Sequence, residues 1–357
     1  MIWLIHFLVV NIFLLVSVIS KRKNFFIYGM LIYSIFTFGQ RWMTGEDFPG
    51  YLLYYLINFQ GPEIGYFALQ YFFISNNFYF GILIFLIYSI TIINVFYFIK
   101  KINKNVVLLI YLFMFVEMYF MQMSQIRQFV AVSFFINAYY FLFNKKYFKF
   151  LISYSLAASF HFSVLLLLPF LFIKIKLKRR TLFYALLVFC ILPFINIKFI
   201  IDIFNINFYS NYLDSAYDTG LSIFHYIKYY IILGIAILYM YNIEKNKLDK
   251  MDSMIINGFM LYILFYGLSF QYAPVMRMSY YFKIFELVYL TYYISSLKYF
   301  AEYFVKRLVV IVILIFYVSI AVLDPYNITR YEIRFLQLYE DKTTDELKYE
   351  IEKFYWE

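Results

Sequence analysis

Apolar runs of near membrane-spanning length recur from residue 2 to residue 323, and this repetition limits the fold more than any other feature. A run of about 20 apolar residues crosses a bilayer as a helix. A membrane β-barrel would instead show short segments of alternating polarity. With 64% hydrophobic and only 15% charged residues, the chain cannot cover itself with a water-compatible surface. The predicted fold class is therefore all-α, a polytopic integral membrane helical bundle. Its segments are placed near 2–19, 25–40, 78–99, 105–121, 126–143, 147–160, 162–173, 181–197, 223–242, 254–270, 278–297 and 308–323. That gives about 11–12 crossings, some short or broken. The pair 147–160 and 162–173 reads as a broken or re-entrant hairpin with His161 at its apex, which a membrane tolerates where the irregular backbone is buried or lines a wet cavity. The first run has no basic stretch before it and no small-residue cleavage site after it, so it is expected to be retained as a helix.

Orientation follows from lysine and arginine. Most of the 31 basic residues fall in the connections 21–23, 100–104, 145–149, 174–180, 245–250 and 298–307, which alternate with the other loops without a break. By the positive-inside rule these connections are cytoplasmic and both termini lie outside. The same clustering explains the net charge of +10 without nucleic acid as a partner. Residues 1–323 are read as one transmembrane domain and 324–357 as an external tail ending in a helix that Thr344 caps. The external loops are 41–77, 198–222 and 271–279, with an amphipathic interfacial helix over Glu63–Ile74. The single cysteine, Cys190, excludes disulfides. His6, His161 and His225 are not spaced as metal pairs, and His6 and His225 are expected at the membrane interface. No metal and no cofactor is expected.

The stretch Met121-Gln122-Met123-Ser124-Gln125-Ile126-Arg127-Gln128 joins two apolar runs. A charge at mid-bilayer costs roughly 2.5–3.5 kcal/mol on insertion scales, so such residues usually face a cavity and mark a site. Arg41 and Arg277 also stand at external ends of segments. Arginine suits a diphosphate because its planar fork donates parallel hydrogen bonds and never loses its charge. Near Arg41 stand Glu46 and Asp47; either carboxylate, or His161, is suited to deprotonate a sugar hydroxyl. The competing readings are snorkelling for the arginines, interhelical hydrogen bonding for the glutamines and a helix break for His161. From the residues alone, the expectation is an externally facing site for an anionic substrate.

Five motifs run in order: Arg41-x-x-x-Gly45-x-Asp47-x-x-x-Tyr51; Glu63-x-Gly65-Tyr66; Gln125-Ile126-Arg127-Gln128; Ser159-Phe160-His161-Phe162-Ser163 followed by Pro169; and Arg277-x-x-Tyr280-Tyr281-Phe282. In this order and spacing the chain resembles the EpsG family of Wzy-like polysaccharide polymerases, with Pro62 standing before Glu63 as a departure from its pattern. The resemblance implies a glycosyltransferase of the bacterial inner membrane with its active site facing the periplasm. Such an enzyme takes undecaprenyl-diphosphate-linked oligosaccharide repeat units. It moves the growing glycan from its carrier to the non-reducing end of a new unit, making O-antigen, capsule or exopolysaccharide. On that reading Arg127 and Arg277 bind the diphosphate with Arg41 in support. Asp47, His161 or Glu46 is the base, and Gln125, Gln128, Glu63, Tyr280 and Tyr281 contact glycan. A chain-length regulator and a flippase are its expected partners. The alternatives are a lipid-linked glycan flippase, whose polar residues would span the bundle's depth, and an O-antigen ligase, which usually carries a larger late external loop than 271–279.

Overall fold

A computed structural model describes residues 2–102, 105–172, 179–195, 223–242, 250–270, 275–296 and 331–356, with the isolated positions 311, 315 and 318. The expected segment 308–323 and the loop 198–222 therefore lie almost wholly or wholly outside the described residues. The chain divides into two compact units, Met1–Val164 with Leu308–Glu357, and Leu165–Arg307.

In the first unit, helices α1 (Ile2–Ser20) and α2 (Lys23–Phe38) form a hairpin, and strand β1 (Arg41–Trp42) follows. Two short helices, α3 (Phe48–Leu56) and α4 (Ile64–Ser75), fill the long connection before α5 (Phe80–Ile102). Next come α6 (Val106–Phe113), α7 (Glu117–Ser124), α8 (Ile126–Phe143) and α9 (Tyr147–Phe160). The described part of this unit resumes with β2 (Glu332–Ile333) and the final helix α16 (Thr344–Trp356). Helix α8 is its centre, packed against both α5 and α9. α1, α5 and α8 are long and apolar enough to cross a membrane, and α6 with α7, bent by 54° to each other, is either a broken fourth span or a re-entrant loop. The second unit holds a 3₁₀ turn over Phe162–Leu167 that runs into it, α10 (Leu168–Leu171), α11 (Arg179–Phe189), α12 (Ile223–Asn242), α13 (Lys250–Leu268), α14 (Met276–Tyr280) and α15 (Ile284–Ser296). Among the described residues the sheet content is one two-residue ladder, so the all-α membrane fold read from the sequence is the fold observed.

The bend between α6 and α7 leaves carbonyls that helical hydrogen bonding cannot reach, and His6 meets one of them. Its Nε2 lies 2.9 Å from the carbonyl of Met114 and its Nδ1 lies 3.2 Å from the Tyr33 hydroxyl. Trp3, Phe38, Phe115, Tyr119 and Phe120 surround the ring. His6 is fully buried among these side chains. An unpartnered carbonyl within the bilayer costs more than placing an imidazole there with two hydrogen bonds.

Contacts place the ends of these elements together. Trp3 stacks on Phe38, β1 pairs with β2 with Arg41 opposite Ile333, and Arg41 reaches the carbonyl of Met123. Hence the start of α1, the end of α2, the start of α8 and the C-terminal segment share one end of the unit. Lys21, Lys100 and Lys145 lie at the opposite ends of their helices, where Lys100 meets Tyr28 near the start of α2. The tail helix begins one residue earlier in its capping than expected. Thr343, not Thr344, is the cap: its Oγ1 accepts from the Glu346 amide, and the Glu346 carboxylate accepts from the Thr343 amide at 2.7 Å, a capping box. These bonds hold the Glu346 carboxyl below its ordinary range.

Candidate functional site

Glu63 is the N-cap of α4, and its side chain makes no capping bond. The carboxylate turns instead toward two other elements. One oxygen forms an ion pair with Nη1 of Arg127 in the first turn of α8. The other accepts from Nδ1 of His161 at 2.5 Å. Glu63 is buried, with 8% of its side chain exposed, while Arg127 and His161 keep 25% and 19% exposure. The carboxylate is thus the hidden hub, and the cation and imidazole face outward from it.

His161 occupies this position because α9 stops there. Its backbone is extended (φ −158°, ψ 120°), and the chain then turns back, since the Tyr154 hydroxyl donates to the Val164 carbonyl at 2.8 Å. A continuing helix would carry Val164 about 15 Å beyond Tyr154, out of reach. Helix α9 therefore breaks at His161, as expected. Close approach of α4 to α9 requires Gly65, because a Cβ there would lie 2.5 Å from Ser159 Oγ and 3.0 Å from the Ser159 carbonyl carbon. Gly65→Ala is expected to cost about 1–3 kcal/mol through overpacking and to part Glu63 from His161. A lower melting temperature in detergent and shorter products would check this.

Arg127 is held on three sides. Its Nε donates to the Tyr51 hydroxyl at 3.0 Å, and its guanidinium lies 5.2, 5.8 and 5.7 Å from the ring centres of Tyr51, Tyr66 and Phe67. Burial pushes the Tyr51 phenol up to about 12, against the opposing pull of Arg127. It therefore stays neutral and accepts the Arg127 hydrogen bond without competing for its charge. The Nη2 arm makes no hydrogen bond within the described chain.

The other expected residues are placed as follows. Asp47 is the N-cap of α3, exposed, one helical turn before Tyr51, and Glu46 beside it is exposed. Arg41 is 2% exposed; it donates to the carbonyls of Phe38 at 2.9 Å and Met123 at 3.1 Å and lies 5.1 Å from the centre of the Tyr88 ring. Gln125 separates α7 from α8, and its Oε1 is buried without a partner; Gln128 is buried in the first turn of α8. The glycine before Asp47, Gly45, has φ +99° and would bring a Cβ to 2.5 Å from the Met123 carbonyl, so this loop packs directly on the break that precedes Arg127. In the second unit, Arg277 is exposed on α14, Tyr280 is half-buried and Tyr281 is buried.

Thus the geometry gathers Arg127, Glu63 and His161, and adds Tyr51, Tyr66 and Phe67, to which the sequence reading gave no role. Residues 24–333 match the EpsG family, a family of Wzy-like polysaccharide polymerases. The chain belongs to the EpsG family. No curated protein and no solved structure matches it. Membership makes this EpsG-family chain a membrane protein of the polysaccharide polymerase type, and the cluster around Glu63 lies within the matched residues. The described tail residues beyond 333 lie outside that match.

Proposed function

We propose that this chain is a bacterial inner-membrane glycosyltransferase that polymerises undecaprenyl-diphosphate-linked repeat units at the periplasmic face. The observation that carries the reading is the Glu63 carboxylate shared between Arg127 and His161. A carboxylate can only accept, so His161 Nδ1 carries the donated proton, and in the neutral form of such an imidazole the lone pair is on Nε2. Nε2 is then the base. It removes the proton of the acceptor hydroxyl as that oxygen attacks the anomeric carbon of the donor glycan. The bond between that carbon and the diphosphate oxygen breaks, and undecaprenyl diphosphate leaves with its electron pair.

Arg127 meets the charge that develops on the leaving diphosphate, with its open Nη2 arm as the donor. Arginine charge makes a metal unnecessary in this scheme, and no cofactor is invoked. Arg277 is proposed as a second diphosphate ligand, and Arg41 as a support that ties the end of α2 to the break before α8. Gln125, Gln128, Tyr280 and Tyr281 are proposed to contact glycan, and Asp47 and Glu46 to line the rim. A chain-length regulator and a flippase remain the proposed partners.

A periplasmic placement is supported by the basic residues Lys21, Lys100 and Lys145, which stand at the other end of the first unit from the cluster. Deletion of the gene, followed by gel analysis of surface glycan, tests the reading. Single repeat units in place of a ladder are expected. Complete loss of surface repeats with accumulated lipid-linked units would move the assignment to a flippase or a ligase.

A further inference from the structure

We propose that Tyr331–Trp356 is a positioning clamp for the catalytic end, so that residues mostly beyond the family match set the geometry of Arg127. The inference rests on the polymerase reading above and extends it to a segment with no assigned part in it.

The tail grips three pieces of chain. On the first, β2 pairs with Arg41–Trp42, the Arg334 amide donates to the Gln40 carbonyl at 3.2 Å, and the Leu336 amide donates to Gln40 Oε1 at 3.3 Å. On the second, the Tyr79 amide donates to the Leu338 carbonyl at 3.0 Å, and Phe78 bridges to Tyr339. On the third, α16 packs along α3 with Leu347 and Ile351 buried.

At the centre sits Trp42, 3% exposed, whose indole Nε1 donates to Glu350 at 2.8 Å. Its ring stacks on Tyr79 at 5.5 Å. The Arg334 guanidinium lies over both rings, 4.6 and 4.5 Å from their centres, and pairs with Glu340 at 2.5 Å and with Asp341. Lys342 pairs with Glu350 in turn. An aromatic pair capped by a cation that two carboxylates hold is a tight fastening, and such networks outweigh isolated surface pairs.

What it fastens leads directly to the site. From Trp42 the loop passes through Gly45, pressed on the Met123 carbonyl, to α3. Helix α3 carries Tyr51, the acceptor for Arg127 Nε. Release of the tail frees the loop and α3 together, and Tyr51 with them. Arg127 then keeps its ion pair with Glu63 but loses the contact that fixes the direction of its fork. Trp42, Arg334 and Glu350 are positioning residues on this account, since none touches the reacting groups.

The test uses the full chain with Cys190→Ser. Arg334→Ala is compared with the parent for membrane abundance, hydrogen exchange over residues 41–56, and elongation of a synthetic polyprenyl-diphosphate oligosaccharide. The expected result is normal abundance, faster exchange over 41–56, and elongation slowed about tenfold through kcat. A second variant adds Thr44→Cys and Glu332→Cys, positions brought close where the Glu332 amide meets Thr44 Oγ1 at 3.4 Å. Oxidation of that pair is expected to restore the rate, and reduction to remove it again. Unchanged exchange in Arg334→Ala, or a rate within twofold of the parent despite faster exchange, overturns the clamp. So does a rate loss that follows abundance and resists the cross-link. If the parent itself fails to elongate, the polymerase reading falls, and the exchange measurement alone decides the clamp.

Discussion

Replacing His161 with alanine is expected to slow glycan elongation by roughly 10²–10⁴-fold, the usual contribution of a positioned general base. The amount of protein in the membrane should stay near the parent level, since His161 lies at the end of α9 with its side chain partly exposed and not within the packed face. Glu63→Gln gives the sharper version of the test. Glutamine preserves shape, but its amide can present an N–H to Nδ1. That would place the ring proton on Nε2 and leave no lone pair for the acceptor hydroxyl. A rate loss in Glu63→Gln close to that of His161→Ala is therefore expected, although Glu63 touches no substrate in this scheme. Initial rates with purified enzyme and a defined lipid-linked oligosaccharide measure both. If His161→Ala elongates at the parent rate, the base passes to Asp47 or Glu46, the exposed carboxylates at the rim.

The bundle was legible in the sequence because lipid leaves little choice. Apolar runs must be helices, and their limits follow from where lysine and arginine interrupt them. His161 was legible for the same reason, as a polar residue between two runs too short to span separately. Arg127 could be found by its cost in a membrane segment, but its partner could not. Glu63 sits in a loop rich in ordinary polar residues, and nothing local shows that its carboxylate crosses to α8 and α9. Tyr51 was hidden among 41 tyrosines, most of which a membrane-protein sequence explains as belt or packing residues. Its one signal was the four-residue spacing from Asp47, which puts the two on one face of a helix. Arg41 resembled Arg127 in sequence, yet it is buried on two backbone carbonyls. The identity of a side chain does not say whether its charge faces a cavity or closes a helix end. The tail was least legible, because its role depends on pairing across some 290 residues of chain.

Arg127→Lys is expected to lower the elongation rate by about 10²–10³-fold, the cost of losing one preorganised donor to developing negative charge. Lysine keeps the charge and can remain near Glu63. It has no fork, however, so it cannot bond Tyr51 and Glu63 and still offer a directed donor to the diphosphate. Arg127→Ala is a poorer probe alone, because it leaves the Glu63 carboxylate buried without its cation. Breaking such a pair costs about 3–5 kcal/mol where both partners are buried, and less here because Arg127 keeps a quarter of its side chain exposed. The remedy is a cycle. Glu63→Gln added to Arg127→Ala removes the stranded charge, so protein abundance and melting temperature should recover toward the parent. Elongation should not recover, since neither the diphosphate donor nor the oriented base is restored. If rate and abundance instead fall and recover together through the cycle, Arg127 serves packing alone. The diphosphate would then have to be bound without it.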